Sequence, residues 1–393
     1  MTLRPIHLVL DDIFFCWADS GIARVWRHVL DEWNEKDLPA KFGIEVTLLN
    51  RSGRLDPGGF RQVPFPSRSW DDPYPAADRA LLDRICRQLS ADVFVSTYYT
   101  VPFAVPSLTV VYDLIPEQFG FDSFNRTWIE RKLAIALGNR FAVISHSTRN
   151  DLLHFHPYVK PSSVGVAHPG IDAGIFSRAS NSAISDFREK HGLSRKYIVL
   201  PGTRRGANEY KNGRALFDLL RNSSTVDFDV VLTGGEPIAD DEAESCARAG
   251  ARLVRVQLDD TDLATCFSGA SAVVYPSLHE GFGLPPLEAL AVGTPVVTSD
   301  SPSLRESTGE LGATFRRGEP DTLAEALALA MSDAWSQSIR ARGPEWARTF
   351  TWEPFSRLIL EQAILAANDP CPLDVPGWGR LLQDYQSVSV VLQ

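Results

Sequence analysis

Two glutamates, Glu280 and Glu288, bracket the segment Gly-Phe-Gly-Leu-Pro-Pro-Leu, which has no polar side chain of its own. Gly281 and Gly283 let the backbone bend there and bring its N–H groups close to a ligand. The apolar run "AVVYPS" ahead of them reads as a buried strand. Pro286 suits the first helical position and Gly293 suits the end, so the spacing predicts a helix over 286–292. Glu288 then falls in its first turn and Glu280 in the loop before it. An anion approaching this turn meets backbone amides and the positive end of the helix dipole together. Carboxylates on either side accept hydrogen bonds from hydroxyls. Phosphate in the middle and a polyol at each end is the layout of a nucleoside-diphosphate sugar. Taken singly, the dipole alone favours a first-turn glutamate, and a loop glutamate is ordinarily solvated.

A diphosphate also needs cations, and the segment "GTRRGANEYKNGRALFDLL" carries Arg204, Arg205 and Lys211. Neutralising charge at the leaving phosphate is what a departing nucleoside diphosphate requires. A solvated basic loop is the plainer explanation of the same residues. Acidic pairs occur at Asp11-Asp12, Asp71-Asp72, Asp240-Asp241 and Asp259-Asp260. A metal site would need carboxylates aimed at the diphosphate, and none of these pairs is placed for that. The expectation is a metal-independent protein with no cofactor, its donor being a substrate. The five cysteines, Cys16, Cys86, Cys246, Cys266 and Cys371, lack CxxC or CxH spacing and fit reduced thiols.

These residues need elements to position them. Short β-rich runs alternate with helical patterns throughout, the mark of parallel α/β architecture. "IHLVL", "IEVTLLN", "DVFVS", "LTVVY", "FAVIS" and "VGVAH" form a first series; "YIVLPG", "DVVLTG", "RLVRVQL", "AVVYPS" and "TPVVTSD" form a second. Between the two, the Ser- and Ala-rich stretch 172–194 reads as a connection. The organisation is therefore an N-terminal domain over 1–178, a C-terminal domain over 190–365, and a Pro-broken tail over 366–393 that crosses back to the first domain. Ligands of doubly wound sheets bind at the strand carboxyl ends, which makes the space between the domains the default site.

The segment "PSLHEGFGLPPLEALAVGTPVVTSDSPSLRE" resembles the signature of family-4 retaining glycosyltransferases, E-x7-E followed by A-x-G-x-P-V-V. The likeness covers the second domain and, more weakly, the first, where "GNRFAVISHSTRNDL" and "VGVAHPGID" resemble family segments in the same order. It implies a GT-B fold, two Rossmann-like domains facing across a cleft, with the nucleotide sugar held mainly by the second. It further implies that Glu280 contacts donor-sugar hydroxyls, that Glu288 contacts the ribose, and that the amides of Phe282, Gly283 and Leu284 face sugar and diphosphate. The cations carried over are Arg205 and Lys211, with Arg204 an alternative to Arg205. "DSGIARVWRHVL" resembles the family's Gly-rich turn, placing Gly21 at the donor, although Asp-Ser-Gly is also an ordinary turn and cap. "VVYDLIPEQF" resembles a strand end at which many members carry His-Asp. Tyr112 stands in place of that His here, and Asp113 remains as a catalytic candidate or a turn cap. His146 and His168 are weaker candidates. The "DLIP" portion is similar to members acting on mannose-type donors.

A net charge of -10 over 393 residues argues against a dedicated nucleic-acid binder. Residues 122–160 still hold six basic residues against three acidic ones, with Trp128 among them. An anionic membrane surface would attract such a patch, as a lipid-linked acceptor needs, and a solvated helix face accounts for it as well. Asp11 and Asp12 interrupt the apolar amino terminus, and no run reaches a membrane span. The expectation is a cytoplasmic retaining hexosyltransferase, peripheral at most to the membrane, acting on a glycan or lipid-linked acceptor. Another GT-B sugar-nucleotide enzyme, an epimerase or phosphorylase, is the first alternative. A non-catalytic carbohydrate-binding partner is the second.

Overall fold

The computed structural model describes residues 4–19, 21–56, 58–70, 75–121, 126–319 and 321–370. Asp71-Asp72, Asp122, Cys371 and the tail beyond Pro370 lie outside them. The chain divides into two compact units. One comprises Met1–Ile144, Arg149–Pro169 and Trp352–Gln393, and the other Ser145–Thr148 and Gly170–Thr351.

The first unit holds β1 (Ile6–Asp11), β2 (Ile44–Asn50), β3 (Arg61–Pro64), β4 (Val93–Ser96), β5 (Ser107–Val111), β6 (Arg140–Val143) and β7 (Val164–Val166). All are parallel, in the order β3-β2-β1-β4-β5-β6-β7. The second holds β8 (Lys196–Pro201), β9 (Phe228–Thr233), β10 (Leu253–Val256), β11 (Ala272–Tyr275), β12 (Val296–Ser299) and β13 (Gly312–Phe315), again parallel, in the order β10-β9-β8-β11-β12-β13. The central strands are unbroken apolar runs because helices cover both faces, as parallel sheets require. In each sheet the order reverses once, between β1 and β4 and between β8 and β11, and ligands of such sheets bind at that reversal.

Sequence reading missed β3 and β13. "RQVP" is mostly exposed, and "GATF" buries only Ala313 and Phe315, so neither stands out as an apolar run. The domain limits also move. Stretch 172–194 is not an open connection: it contains the helix Asn181–Lys190, capped by Ser180, whose hydroxyl accepts from the Ala183 amide, and it belongs to the second unit.

The crossing back occurs at Trp352 rather than 366. Helix Trp352–Ala367 packs on helix Gly21–Glu35, whose inward face carries Ala23, Val25, Trp26, Val29, Leu30 and Trp33. Trp33 Nε1 donates to the Ser356 carbonyl at 3.0 Å, and Lys36 pairs with Glu353 at 2.8 Å. Fully buried aromatic and aliphatic side chains contribute about 1.5–3 kcal/mol each, so this helix is part of the first unit's core.

Candidate functional site

The reversal in the second sheet lies between the loop after β8 and the loop after β11. The first carries Arg204, Arg205 and Lys211, and the second carries Glu280. Two bonds stitch the loops together. The Leu278 amide donates to the Tyr210 carbonyl at 2.8 Å, and Asn212 Nδ2 donates to the Pro276 carbonyl at 3.2 Å. The residue beside Tyr210, Lys211, is thereby held next to the loop that leads into Glu280.

The three cations differ in what they can do. Arg204 is 4% exposed and fully engaged. Its Nε pairs with Glu242 at 3.0 Å, its guanidinium donates to the carbonyls of Gly202 and Glu236, and its amide donates to the Glu236 carboxylate. These contacts make Arg204 a strut beneath the loop. Arg205 is half exposed and shares Glu242, at 2.8 Å. Lys211 has no carboxylate partner among the described residues. Its ammonium lies beside Gly202, directly after β8, and 5.9 Å from the Tyr210 ring centroid.

The helix expected over 286–292 runs over Leu284–Ala291. Gly283 precedes it at φ 106°, a left-handed conformation that L side chains rarely adopt. A Cβ there would meet Leu304 Cδ2 at 2.7 Å and Ser307 Oγ at 3.0 Å. Pro285 and Pro286 carry no N–H, and Leu287 donates to the Gly283 carbonyl. The amino-terminal donors thus come down to the amides of Gly283 and Leu284. The Phe282 side chain faces inward, 2% exposed, against Phe350 at 5.6 Å.

Glu280 is half-buried and accepts a hydrogen bond from the Tyr275 hydroxyl at 2.8 Å. Burial, and then the Glu280 charge, raise the Tyr275 pKa well above the ordinary phenol value, so it remains the donor. Glu288 sits in the second helical turn rather than the first, 2% exposed, within electrostatic reach of Tyr275. Dipole preference therefore does not account for it. Behind this loop, the Gly281 carbonyl accepts from Ser145 Oγ at 2.5 Å and Thr148 Oγ1 at 3.1 Å. Glu306 accepts from the amides of His146 and Ser147 at 2.8 and 2.7 Å. Sequence reading noticed the serine-rich segment but not what it grips. It also missed Tyr275, whose only signal is a polar last residue on an apolar strand.

In the first unit Gly21 opens helix Gly21–Glu35, with open space where a Cβ would stand. The protein itself does not require glycine there. Asp113 follows β5, and its carboxylate accepts from the Ile115 amide at 3.1 Å and pairs with Arg131 at 3.3 Å. That is the turn-capping alternative, reinforced by an ion pair. Tyr112 is buried: its hydroxyl accepts from Trp26 Nε1 at 2.6 Å and donates to the Thr97 carbonyl at 2.9 Å.

Three of the four acidic pairs fall among the described residues. Asp11 pairs with buried Arg51 at 2.6 Å, and Asp12 accepts from the Arg51 amide and the Ser52 hydroxyl. Asp240 and Asp241 open one helix, and Asp259 caps another. The basic stretch shrinks too, because Arg131 is 1% exposed and Arg140 pairs with Asp369 at 2.7 Å.

An aromatic group escaped notice altogether. Trp17, Trp70 and Tyr98 meet edge to face or tilted, at 5.1, 6.0 and 5.9 Å; Trp17 ends the short helix Phe14–Trp17 after β1, and Trp70 and Tyr98 lie in the connections after β3 and β4. Trp17 is fixed by donating Nε1 to the Arg68 carbonyl at 2.7 Å, while Trp70 is 39% exposed. Among the described residues no helix is long and apolar enough to cross a membrane.

Residues 210–333 match the family described as "Glycosyl transferases group 1". The O-antigen chain mannosyltransferase B of Escherichia coli is 31% identical over 162 residues, 40% of this chain and 42% of that protein. The alpha-maltose-1-phosphate synthase of Mycolicibacterium smegmatis is 27% identical over 249 residues, 58% of this chain and 62% of that protein. The chain thus spans less than two thirds of the length of either. Among solved structures, a glycosyltransferase from Rickettsia africae matches with a TM-score of 0.68 at 14% identity, covering 94% of this chain and 100% of that one. The Anabaena Alr3699/HepE protein in complex with UDP-glucose matches with a TM-score of 0.68 at 16% identity, covering 91% and 98%.

Proposed function

The chain has the GT-B fold and its second unit carries the group 1 glycosyl transferase domain, and on that premise we propose that it is a retaining glycosyltransferase. It moves a hexose from a nucleoside-diphosphate sugar to the hydroxyl of a glycan or lipid-linked acceptor. The observation that carries this is Lys211, a cation with no carboxylate partner among the described residues, stitched beside the Glu280 loop at the strand-order reversal.

The second unit holds the donor. Lys211 faces the diphosphate, and Arg205 joins it by exchanging Glu242 for a phosphate oxygen. The amides of Gly283 and Leu284 meet the phosphate next to the sugar. Glu280, oriented by Tyr275, holds the sugar hydroxyls, and Glu288 the ribose. As the bond from the anomeric carbon to the diphosphate breaks, the acceptor oxygen attacks from the same face. The acceptor proton passes to the departing phosphate oxygen. Positioning and charge stabilisation supply the rate. Asp113, bound to Arg131, orients the acceptor side rather than acting as a base. Asp11 and Asp12 are taken up by Arg51 and Ser52, and in this reading the protein's own cations neutralise the leaving phosphate without a metal.

The relatives' printed names favour a mannosyl donor, in agreement with the "DLIP" segment. The Trp17–Trp70–Tyr98 group gives the first unit a face on which an acceptor sugar ring can stack, at carboxyl ends of its strands. Among the described side chains of residues 122–160, Lys132, Arg149 and Lys160 are the basic ones not drawn into the ion pairs above, and a peripheral membrane contact would rest on them. The test is a panel of nucleotide sugars scored for binding, hydrolysis and transfer, with and without chelator. A GDP-linked mannose donor hydrolysed slowly without acceptor, equally well with chelator, is the expected result. Turnover to an epimer or a sugar 1-phosphate would replace transfer with one of the alternative reactions. Binding without any turnover would make the protein a carbohydrate-binding partner.

A further inference from the structure

A cavity of about 280 Å³ opens at the amino edge of the second sheet, the edge away from Lys211 and Glu280. Lys196, the first residue of β8, and Ser271, just ahead of β11, lie on its wall, with Arg178, Arg340, Ser268 and Ser336. Asp333 is the one acidic residue lining it, against three cations, of which Lys196 also stands 4.0 Å from Asp227, in a chain whose net charge is -10.

Arg178 and Arg340 stand close enough to repel. Partial burial, and then the Arg340 charge, hold the Arg178 pKa below the usual guanidinium value. Among the described residues neither arginine has a carboxylate within ion-pair distance. Arg178 donates only to the Val292 carbonyl, at 3.3 Å. The Ser268 oxygen accepts from the Ala179 amide at 3.0 Å on the cavity wall. Two uncompensated guanidinium groups with hydroxyl donors around a concave space form a receptor for a tetrahedral oxyanion. A folded protein keeps such repulsion most readily when a ligand relieves it.

We propose that this cavity is a second anion site, binding a phosphate or phosphomonoester through Arg178, Arg340 and Lys196, separate from the donor site. It rests on nothing in the sugar-transfer reading. Occupancy stabilises the second unit by linkage, since the anion binds the folded chain only.

The experiment titrates inorganic phosphate into the full chain at constant ionic strength, with chloride as the balancing salt, and follows thermal melting and calorimetric heat. A saturable rise in melting temperature is expected for the natural chain and for K211A, because the donor site is not involved. In R178Q/R340Q the saturable component weakens at least about tenfold, as loss of charge-assisted bonds predicts. Without phosphate that variant melts no lower than the natural chain, because a like-charge pair has gone. Vesicles containing phosphatidic acid, a lipid phosphomonoester, separate the sources. Co-sedimentation lost in R178Q/R340Q assigns the site to a lipid phosphate, and phosphate saturation without co-sedimentation assigns it to a free one. Identical phosphate responses in the natural chain and the double variant would overturn the proposal.

Discussion

The Tyr275 hydroxyl donates to Glu280 Oε1 across 2.8 Å, joining the last residue of β11 to the carboxylate that ends its loop. Of the two Glu280 oxygens only Oε1 has a partner among the described residues, so the bond fixes the side chain and leaves the other oxygen for a ligand. Y275F removes a hydrogen bond to a charged group, worth about 1.5–3 kcal/mol. Donor turnover is expected to fall roughly 10- to 100-fold by the rate relation, with melting temperature little changed. A full-activity Y275F would show that Glu280 needs no such anchor.

Lys211 and Arg204 should separate binding from stability. K211A is expected to weaken nucleotide-sugar affinity while leaving the melt intact, since no carboxylate among the described residues loses its partner. R204M strands Glu242 in a buried position, a loss of about 3–5 kcal/mol for a broken buried pair, tempered by Arg205. Calorimetry on one and denaturant melts on the other check the two. An unfolded K211A together with a stable R204M would reverse the assignment.

Gly283 is constrained twice, by its φ of 106° and by Leu304 and Ser307. G283A is expected to lose about 1–3 kcal/mol through backbone strain alone. Donor binding should fail even in the folded fraction, since the amides of 283 and 284 would be re-aimed. A G283A chain that binds donor normally would rule out those amides as ligands.

Tyr112 supports the fold rather than the reaction. In Y112F the Trp26 indole and the Thr97 carbonyl each lose a buried partner, for about 1–3 kcal/mol of stability. Turnover per folded molecule should persist at temperatures well below the melt. If Y112F instead abolished turnover in a fully folded chain, the hydroxyl would belong to the chemistry.

Alkaline pH should loosen both units. Burial, the larger cause, and nearby carboxylates push the thiols of Cys86 and Cys246 up to about 12 from 9.0. Groups with raised folded pKa values contribute stability that is complete below the ordinary thiol value. It is lost as pH rises from there through the folded value. Tyr112 and Tyr197 shift the same way. Thermal melts between pH 7 and 11 should show a decline beginning near pH 9, and C86A/C246A should soften it. A flat profile would contradict the burial of these groups.

Most strands could be read from the sequence because β1, β4, β8 and β11 bury nearly every residue and so appear as unbroken apolar runs. β3 and β13 could not, being short and half exposed. The bend at Gly283 and the loop position of Glu280 were legible from spacing, Lys211 was proposed through the family resemblance, and Arg204 and Arg205 were not separable. Adjacent arginines look alike until the fold sends one under the loop toward Glu242. Trp17, Trp70 and Tyr98 come from three separate connections, after β1, β3 and β4, so only the assembled sheet brings them together.

Helix Trp352–Ala367 has a consequence for biosynthesis. The ribosome emits β1 to β7 early, yet the surface receiving Ser356 beneath Trp33 stays uncovered until the whole intervening unit has emerged. The second unit can close on itself while the first still waits for its final piece. A nascent chain paused before Trp352 would therefore present a finished second unit tethered to an unfinished neighbour, and a chaperone would find its client in the part translated first.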